Sequence, residues 1–338
     1  MHEVRRLLAP PDPLPALLAQ RAAPNARLIR AFGITNTFVS PEPAVHAAFT
    51  REARALVRAA TNDWDRFAEC AGAAVGRCLS AHSAEPVPIP YADFIQDVTL
   101  HVVLEVLFRV PHGEIDVPDL GVVARGINDL WRLSKTAEDI PPALLRNVNE
   151  RLRRWIPEHG NPIDFVVPAF ETMWRVVATT LAYTHADPLA RTAYAALLSI
   201  PTTRTFVAFD DDSPSVEALV TEALRLHPPT KRISRQTEDT THLTVADVGS
   251  VHRDTTIWGA DADAFVPFRH HPSRRAPEQA QALLGFGLGR LKCVASGWAP
   301  QAAGLITAAI ANGVEVVEGK EIGGREGWEG WQVTPRGV

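Results

Sequence analysis

Apolar residues recur every three to four positions through most of the chain, the spacing of amphipathic helices. Pro43–Ala60 (PAVHAAFTREARALVRAA) and Trp64–Leu79 are alanine-rich and amphipathic, and predict two well-formed helices. Leu14–Arg30 has the same period, but Pro24 removes an amide donor and predicts a helix broken into pieces. Tyr91–Arg109 is apolar on nearly all sides and predicts a deeply buried helix. Val117–Ser134 and Pro142–Trp155 read as shorter amphipathic helices, the second opened by Pro141 and Pro142. Ile163–Thr184 is long and apolar, and Pro168 predicts an irregularity inside it. Pro188–Ser199 and Ser215–His227 follow, the latter stopped by Pro228 and Pro229.

Past Pro229 the period changes. Ile233–Gln236 and Leu243–Val245 read as short strands, Val266–Arg275 as an irregular stretch, and Val294–Ala311 as a further helix. Val314–Val317 and Trp331–Val333 predict the closing strands of a small sheet. The fold class is therefore mainly α with a small β region in the last third, and no composition break divides residues 1–338 into more than one domain.

Composition narrows the class. The 338 residues are 46% hydrophobic and 22% charged, ample for a large core. A net charge of −5 offers no general basic footprint for nucleic acid. Cys70, Cys78 and Cys293 are too few and too scattered for a disulfide framework or zinc knuckle, which points to a reducing, cytoplasmic compartment. In MHEVRRLLAPPDPLPALLAQRAAP the prolines interrupt every apolar run well short of a membrane span, so the reading is a frayed start without a transmembrane anchor.

Three motifs carry candidate chemistry. Gly285-Phe286-Gly287-Leu288-Gly289-Arg290-Leu291-Lys292-Cys293 alternates glycines and ends in a lone cysteine at the start of the predicted helix from Val294. Alternate glycines admit backbone angles closed to other residues and let a flat ligand approach. A helix start stabilises a thiolate, so Cys293 is a candidate ligand to haem iron. The same loop taken alone also suits a phosphate, although no preceding strand and distal acid complete a dinucleotide site. Glu222 and Arg225, at i and i+3, share a helix face and can pair. Pro168-Ala169-Phe170-Glu171-Thr172 puts an acid and an alcohol side by side at the predicted irregularity. His252, His270 and His271 have no metal-ligand spacing and read as a solvated meander; Trp328 and Trp331 read as packing aromatics.

Taken in order, these motifs resemble the cytochrome P450 family of haem-thiolate monooxygenases. The match runs from about Phe165 to Ala311: PAFET, then TEALRLHPP, then FVPFR, then GFGLGRLKC. The resemblance implies haem b with Cys293 as iron ligand, and Phe286, Gly287, Gly289, Arg290 and Lys292 beside the haem. It implies Arg235 (or Arg232) and His46 as partners of the haem propionates. Glu171 and Thr172 correspond to the family's distal proton-delivery pair, and Glu222, Arg225 and Arg269 to its structural lock. Leu291 stands where the family usually has a basic residue, and Ala295 where it usually has glycine. The resemblance further implies oxygen insertion from O2 into a small, largely apolar substrate, as in secondary metabolism, with an NAD(P)H-dependent reductase or a ferredoxin supplying electrons. The chain reads as a short, soluble, fungal-type member, shortened at its N-terminal side. Two alternatives stay open: a haem-thiolate peroxygenase, isomerase or dehydratase that needs no reductase, and a catalytically silent haem- or ligand-binding protein.

Overall fold

A computed structural model describes residues 1–82, 88–210, 213–236 and 243–336. The chain opens with α1 (His2–Leu8) and α2 (Leu14–Phe32), followed by α3 (Pro43–Thr61) and α4 (Trp64–His82). Next come β1 (Ile89–Pro90), α5 (Tyr91–Leu107), a 3₁₀ turn (His112–Glu114), α6 (Val117–Leu133) and α7 (Pro142–Trp155). Then follow α8 (Ile163–Phe170), α9 (Met173–Thr184), α10 (Pro188–Ser199), α11 (Thr203–Val207) and α12 (Val216–Leu226). The last third holds β2 (Arg232–Gln236), β3 (Leu243–Asp247), α13 (Val248–His252), α14 (Thr255–Trp258), α15 (Pro277–Ala282), α16 (Ala299–Gly313), β4 (Val314–Val317) and β5 (Gln332–Pro335).

The core is where α4, α5, α9 and α16 pack side by side. α5 is buried almost throughout, with Phe94, Ile95, Leu100 and Leu104 fully enclosed. Each such side chain contributes about 1.5–3 kcal/mol of burial. α16 is buried from Gln301 to Ala311, and its alanines and glycines let neighbours close in. A Cβ on Gly304 would stand 2.8 Å from Val216 Cγ1, and one on Gly313 would stand 2.7 Å from Val75 Cγ1.

β5 lies between β1 and β4 in one antiparallel sheet, with Val333 opposite both Ile89 and Val316. Trp331 Nε1 donates to Glu321 O and Trp328 Nε1 to Gly324 O, while both rings pack on Tyr91. β2 and β3 form a separate hairpin against which α2 and α1 pack.

Several boundaries differ from the pattern reading. Pro24 sits inside a continuous α2, because a proline costs the ladder one donor while the apolar face of Leu17, Leu18 and Leu28 is held by burial on either side. The N-terminus is not frayed: α1 buries Leu8 in a small cluster with Ala246, Val248 and Trp258, and Arg5 Nη1 donates to Gln281 O at 2.6 Å. The last long helix begins at Ala299, five residues later than its apolar pattern suggests, after a turn from Val294. Among the described residues, no helix is long and apolar enough to cross a membrane.

Candidate haem site

α12 is capped by Ser215, whose Oγ accepts from Ala218 N at 3.1 Å, and it turns Glu222 and Arg225 onto its fully buried face. Arg225 donates from Nε and Nη2 to the Glu222 carboxylate at 2.9 and 2.7 Å, and Arg269 Nε donates to it at 3.0 Å. Val266 N (3.0 Å) and His270 Nε2 (2.8 Å) complete the shell. Burial alone would raise the carboxyl pKa; the bonds from Arg225, His270 and Val266 outweigh it and bring Glu222 down to about 2. Arg225 also donates to the carbonyls of His252, Ala262 and Ala264, so one guanidinium gathers the whole meander.

Two meander histidines are buried and structural, not solvated. His252 Nε2 accepts from Leu284 N at 3.0 Å, which leaves the proton on Nδ1 to donate to Arg225 O at 3.0 Å. Burial lowers the His252 pKa to about 4, keeping it neutral in that tautomer. The ring couples α12 to the segment that carries the cysteine. Nothing in the spacing of His252 distinguished this role from a surface histidine.

That segment is a tight double turn. Gly287 N donates to Leu284 O and Cys293 N donates to Phe286 O, both at 2.9 Å. Gly287 and Gly289 have φ of 70° and 69°, which only glycine adopts without strain. Of the three cysteines, Cys70 and Cys78 are buried and Cys293 is exposed. Surrounding protein nevertheless pushes the Cys293 thiol above its usual range, against the Ala295 amide and the Lys292 charge. The Ala295 N–H, not a helix terminus, is the dipole that faces the sulfur. Phe286 is half-buried, and Arg290 and Lys292 flank the turn as exposed cations.

A second group forms where α2 packs against β2. Arg21 and Arg235 are 7% and 8% exposed, and among the described residues the Nε of each has no hydrogen-bond partner. Burial, then the charge of Arg235, lowers the Arg21 pKa to about 10. Arg21 Nη2 donates to Thr37 O, and Thr37 Oγ1 meets His46 Nδ1 at 2.8 Å. Burial and then the Arg21 and Arg54 charges lower the pKa of His46. Arg235 and His46 thus come together around Arg21, which sequence reasoning missed because it lies mid-helix among alanines. Arg232 is exposed instead, paired with Asp247 on the hairpin surface.

Between α8 and α9 the helix is interrupted at Glu171 and Thr172. Glu171 is 2% exposed and is held by Arg175 Nη2 at 3.0 Å and by Arg325, a residue of the β4–β5 connection. Arg325 stacks on Trp131 with its Cζ 4.8 Å from the ring centre. The acid is therefore engaged by two guanidiniums, whereas Thr172 is half-buried and its side chain does not cap α9.

The fold is that of a cytochrome P450 heme domain. It aligns with the crystal structure of the cytochrome P450DA heme domain over 95% of this chain and 86% of that one, with a TM-score of 0.67 at 19% identity. Residues 211–310, which hold the lock and Cys293, match the family model for cytochrome P450. Relatives include cytochrome P450 81D1 of Arabidopsis thaliana (35% identical over 126 residues, 33% of this chain and 23% of that protein). Another is benzoate 4-monooxygenase bphA of Aspergillus niger (44% over 45 residues, 13% of this chain and 9% of that protein). The chain thus matches less than a quarter of the length of these relatives. Residues 211–310 are thus similar to the cytochrome P450 family, and the fold is that of its heme domains.

The family's cofactor is haem, and the residues present fit it. The donor set is an exposed thiol on a turn that glycines keep open, with the buried Nε of Arg21 and of Arg235, unpartnered among the described residues, suited to carboxylates.

Proposed function

We propose that the protein is a haem-thiolate monooxygenase that inserts one oxygen atom of O2 into a small, largely apolar substrate. The other atom leaves as water, with two electrons and two protons consumed. The observation that carries this reading is the presentation of Cys293, the single exposed cysteine, from the glycine turn coupled through His252 to the Glu222–Arg225–Arg269 lock. When bound, haem supplies the activation of dioxygen. Cys293 would hold the iron, with Phe286, Gly287 and Gly289 shaping the space above the turn. Arg235, Arg21 and His46 would bind the propionates.

Glu171 and Thr172, at the break between α8 and α9, would hold and pass protons. A carboxylate gripped by Arg175 and Arg325 relays a proton when one guanidinium swings away, so Arg325 would act as a latch on proton supply. The exposed Arg290 and Lys292 would favour an acidic electron donor, a ferredoxin or a flavin reductase fed by NAD(P)H.

The test is turnover of a panel of apolar compounds with haem-loaded protein, a reductase and isotopically labelled dioxygen. Labelled product that requires NAD(P)H and reductase supports the reading. Equal turnover with peroxide alone, or product without label, overturns it in favour of reductase-independent chemistry.

A further inference from the structure

A second cluster of ligand-type side chains lies on α5 and the turn after it. His101 and Glu105 are one helical turn apart on α5, so both project toward α4 and the 3₁₀ turn. Arg109 then takes a left-handed φ of 58°, and Val110 N returns to bond Leu104 O at 3.2 Å. This reversal brings His112 back over α5, with its ring centre 4.8 Å from that of His101. Arg77 of α4 donates to His112 O at 2.7 Å and fixes the turn.

Three ligand atoms meet there. His112 Nδ1 is 3.0 Å from Glu105 Oε2, His101 Nε2 is 3.6 Å from the same oxygen, and the two nitrogens are 3.2 Å apart. A tetrahedral ion with bonds of about 2.0–2.1 Å requires ligand atoms about 3.3 Å apart, so the triangle has the dimensions of one face of such a site. Protons alone satisfy the triangle poorly. With Glu105 ionised, any placement of hydrogens leaves at least one of the three contacts with donor facing donor or lone pair facing lone pair. One cation at the centre satisfies all three.

The other carboxylate oxygen, Oε1, accepts from Cys70 Sγ at 3.2 Å, which orients Glu105 from α4. The His101 side chain is fully buried and that of His112 is 36% exposed, so the cluster has a rigid floor and an opening to solvent. Among the described residues this is the one group of three or more such side chains with convergent ligand atoms.

We propose that His101 Nε2, Glu105 Oε2 and His112 Nδ1 bind one divalent ion of the zinc class, with the fourth position open to water. Two imidazoles and one carboxylate favour borderline metals over magnesium or calcium. The ion ties the 3₁₀ turn to α5, and Cys70 of α4 braces its carboxylate ligand. It is built by elements other than the turn carrying Cys293, and the inference does not depend on the haem reading.

The experiment titrates Zn²⁺, and separately Co²⁺, into chelator-treated, desalted protein. The readouts are calorimetry, cobalt visible absorption and thermal unfolding. The expected result is one saturable site, four-coordinate cobalt bands and a raised unfolding temperature. His112→Ala, at the partly exposed position, should keep the circular dichroism spectrum and lose about 100-fold or more in affinity. Glu105→Gln should lose affinity similarly, and His159→Ala, outside the cluster, should bind as the parent does. Absence of saturable binding, or equal binding by the well-folded His112→Ala protein, overturns the proposal.

Discussion

Replacing Glu222 by alanine removes the acceptor for five donors: two from Arg225, and one each from Arg269, His270 and Val266. Arg225 is fully buried and retains bonds to the carbonyls of His252, Ala262 and Ala264, but no carboxylate neutralises it. Removing one partner of a buried ion pair costs about 3–5 kcal/mol. The titration of Glu222 gives a second route to the magnitude. A carboxyl depressed from 4.5 to about 2 contributes roughly 3 kcal/mol at neutral pH. The sign follows from the depression: this stability is fully present well above pH 4.5 and is lost as pH falls towards 2. Native domains are stable by about 5–15 kcal/mol, so the variant loses a large fraction of the total. Denaturant unfolding of the parent and of Glu222→Ala and Glu222→Gln measures this at neutral pH. Repetition between pH 5 and 2 tests the linkage. The expected result is a loss of about 3 kcal/mol or more for alanine, a smaller loss for glutamine, and a weaker acid dependence in both variants. A loss below about 1 kcal/mol with unchanged acid dependence would refute the reasoning.

Three further outcomes follow from the same geometry. Arg235→Gln relieves the repulsion between two buried cations, so it should raise the unfolding temperature of the haem-free protein. The same change should weaken haem retention by about 10- to 100-fold, the worth of a charge-assisted hydrogen bond, as read by haem transfer to an acceptor protein. Gly289→Ala places a Cβ 2.8 Å from Ala9 Cβ at a φ of 69°, so it should destabilise by about 1–3 kcal/mol and expose α1 to limited proteolysis. In haem-free protein a maleimide should label Cys293 alone, because Cys70 and Cys78 are buried and their thiols lie near 12; peptide mapping after labelling checks the site, and added haem should block it.

The helical part of the fold was legible because its signal is local. Pro142 opens α7 and Leu226 ends α12 where proline chemistry says they should. What escaped depends on contacts distant in sequence. α1 is helical because Leu8 finds Ala246 and Trp258, and β1 is a strand of two residues made by Val333 across the chain. The same holds for the site. GFGLGRLKC and Glu222–Arg225 announce themselves by spacing, whereas Arg21 acquires meaning through Arg235, and His252 through Leu284. The proline of PAFET announced an interruption, and the break begins three residues later, at Glu171 and Thr172. The arginine that grips Glu171 comes from position 325, beyond reach of any local pattern. The three histidines compared for metal spacing, at 252, 270 and 271, do not converge as a metal site; two others, at 101 and 112, do, because a left-handed residue at 109 folds the chain back.

The central claim is that Cys293 holds a haem iron, and the spectrum of the reduced, carbon monoxide-bound protein tests it most directly. Haem-loaded protein should show the red-shifted Soret band of thiolate-ligated iron, and Cys293→Ala should lose it while Cys70→Ala and Cys78→Ala keep it. Failure to take up supplied haem, or the same band in Cys293→Ala, would contradict the account.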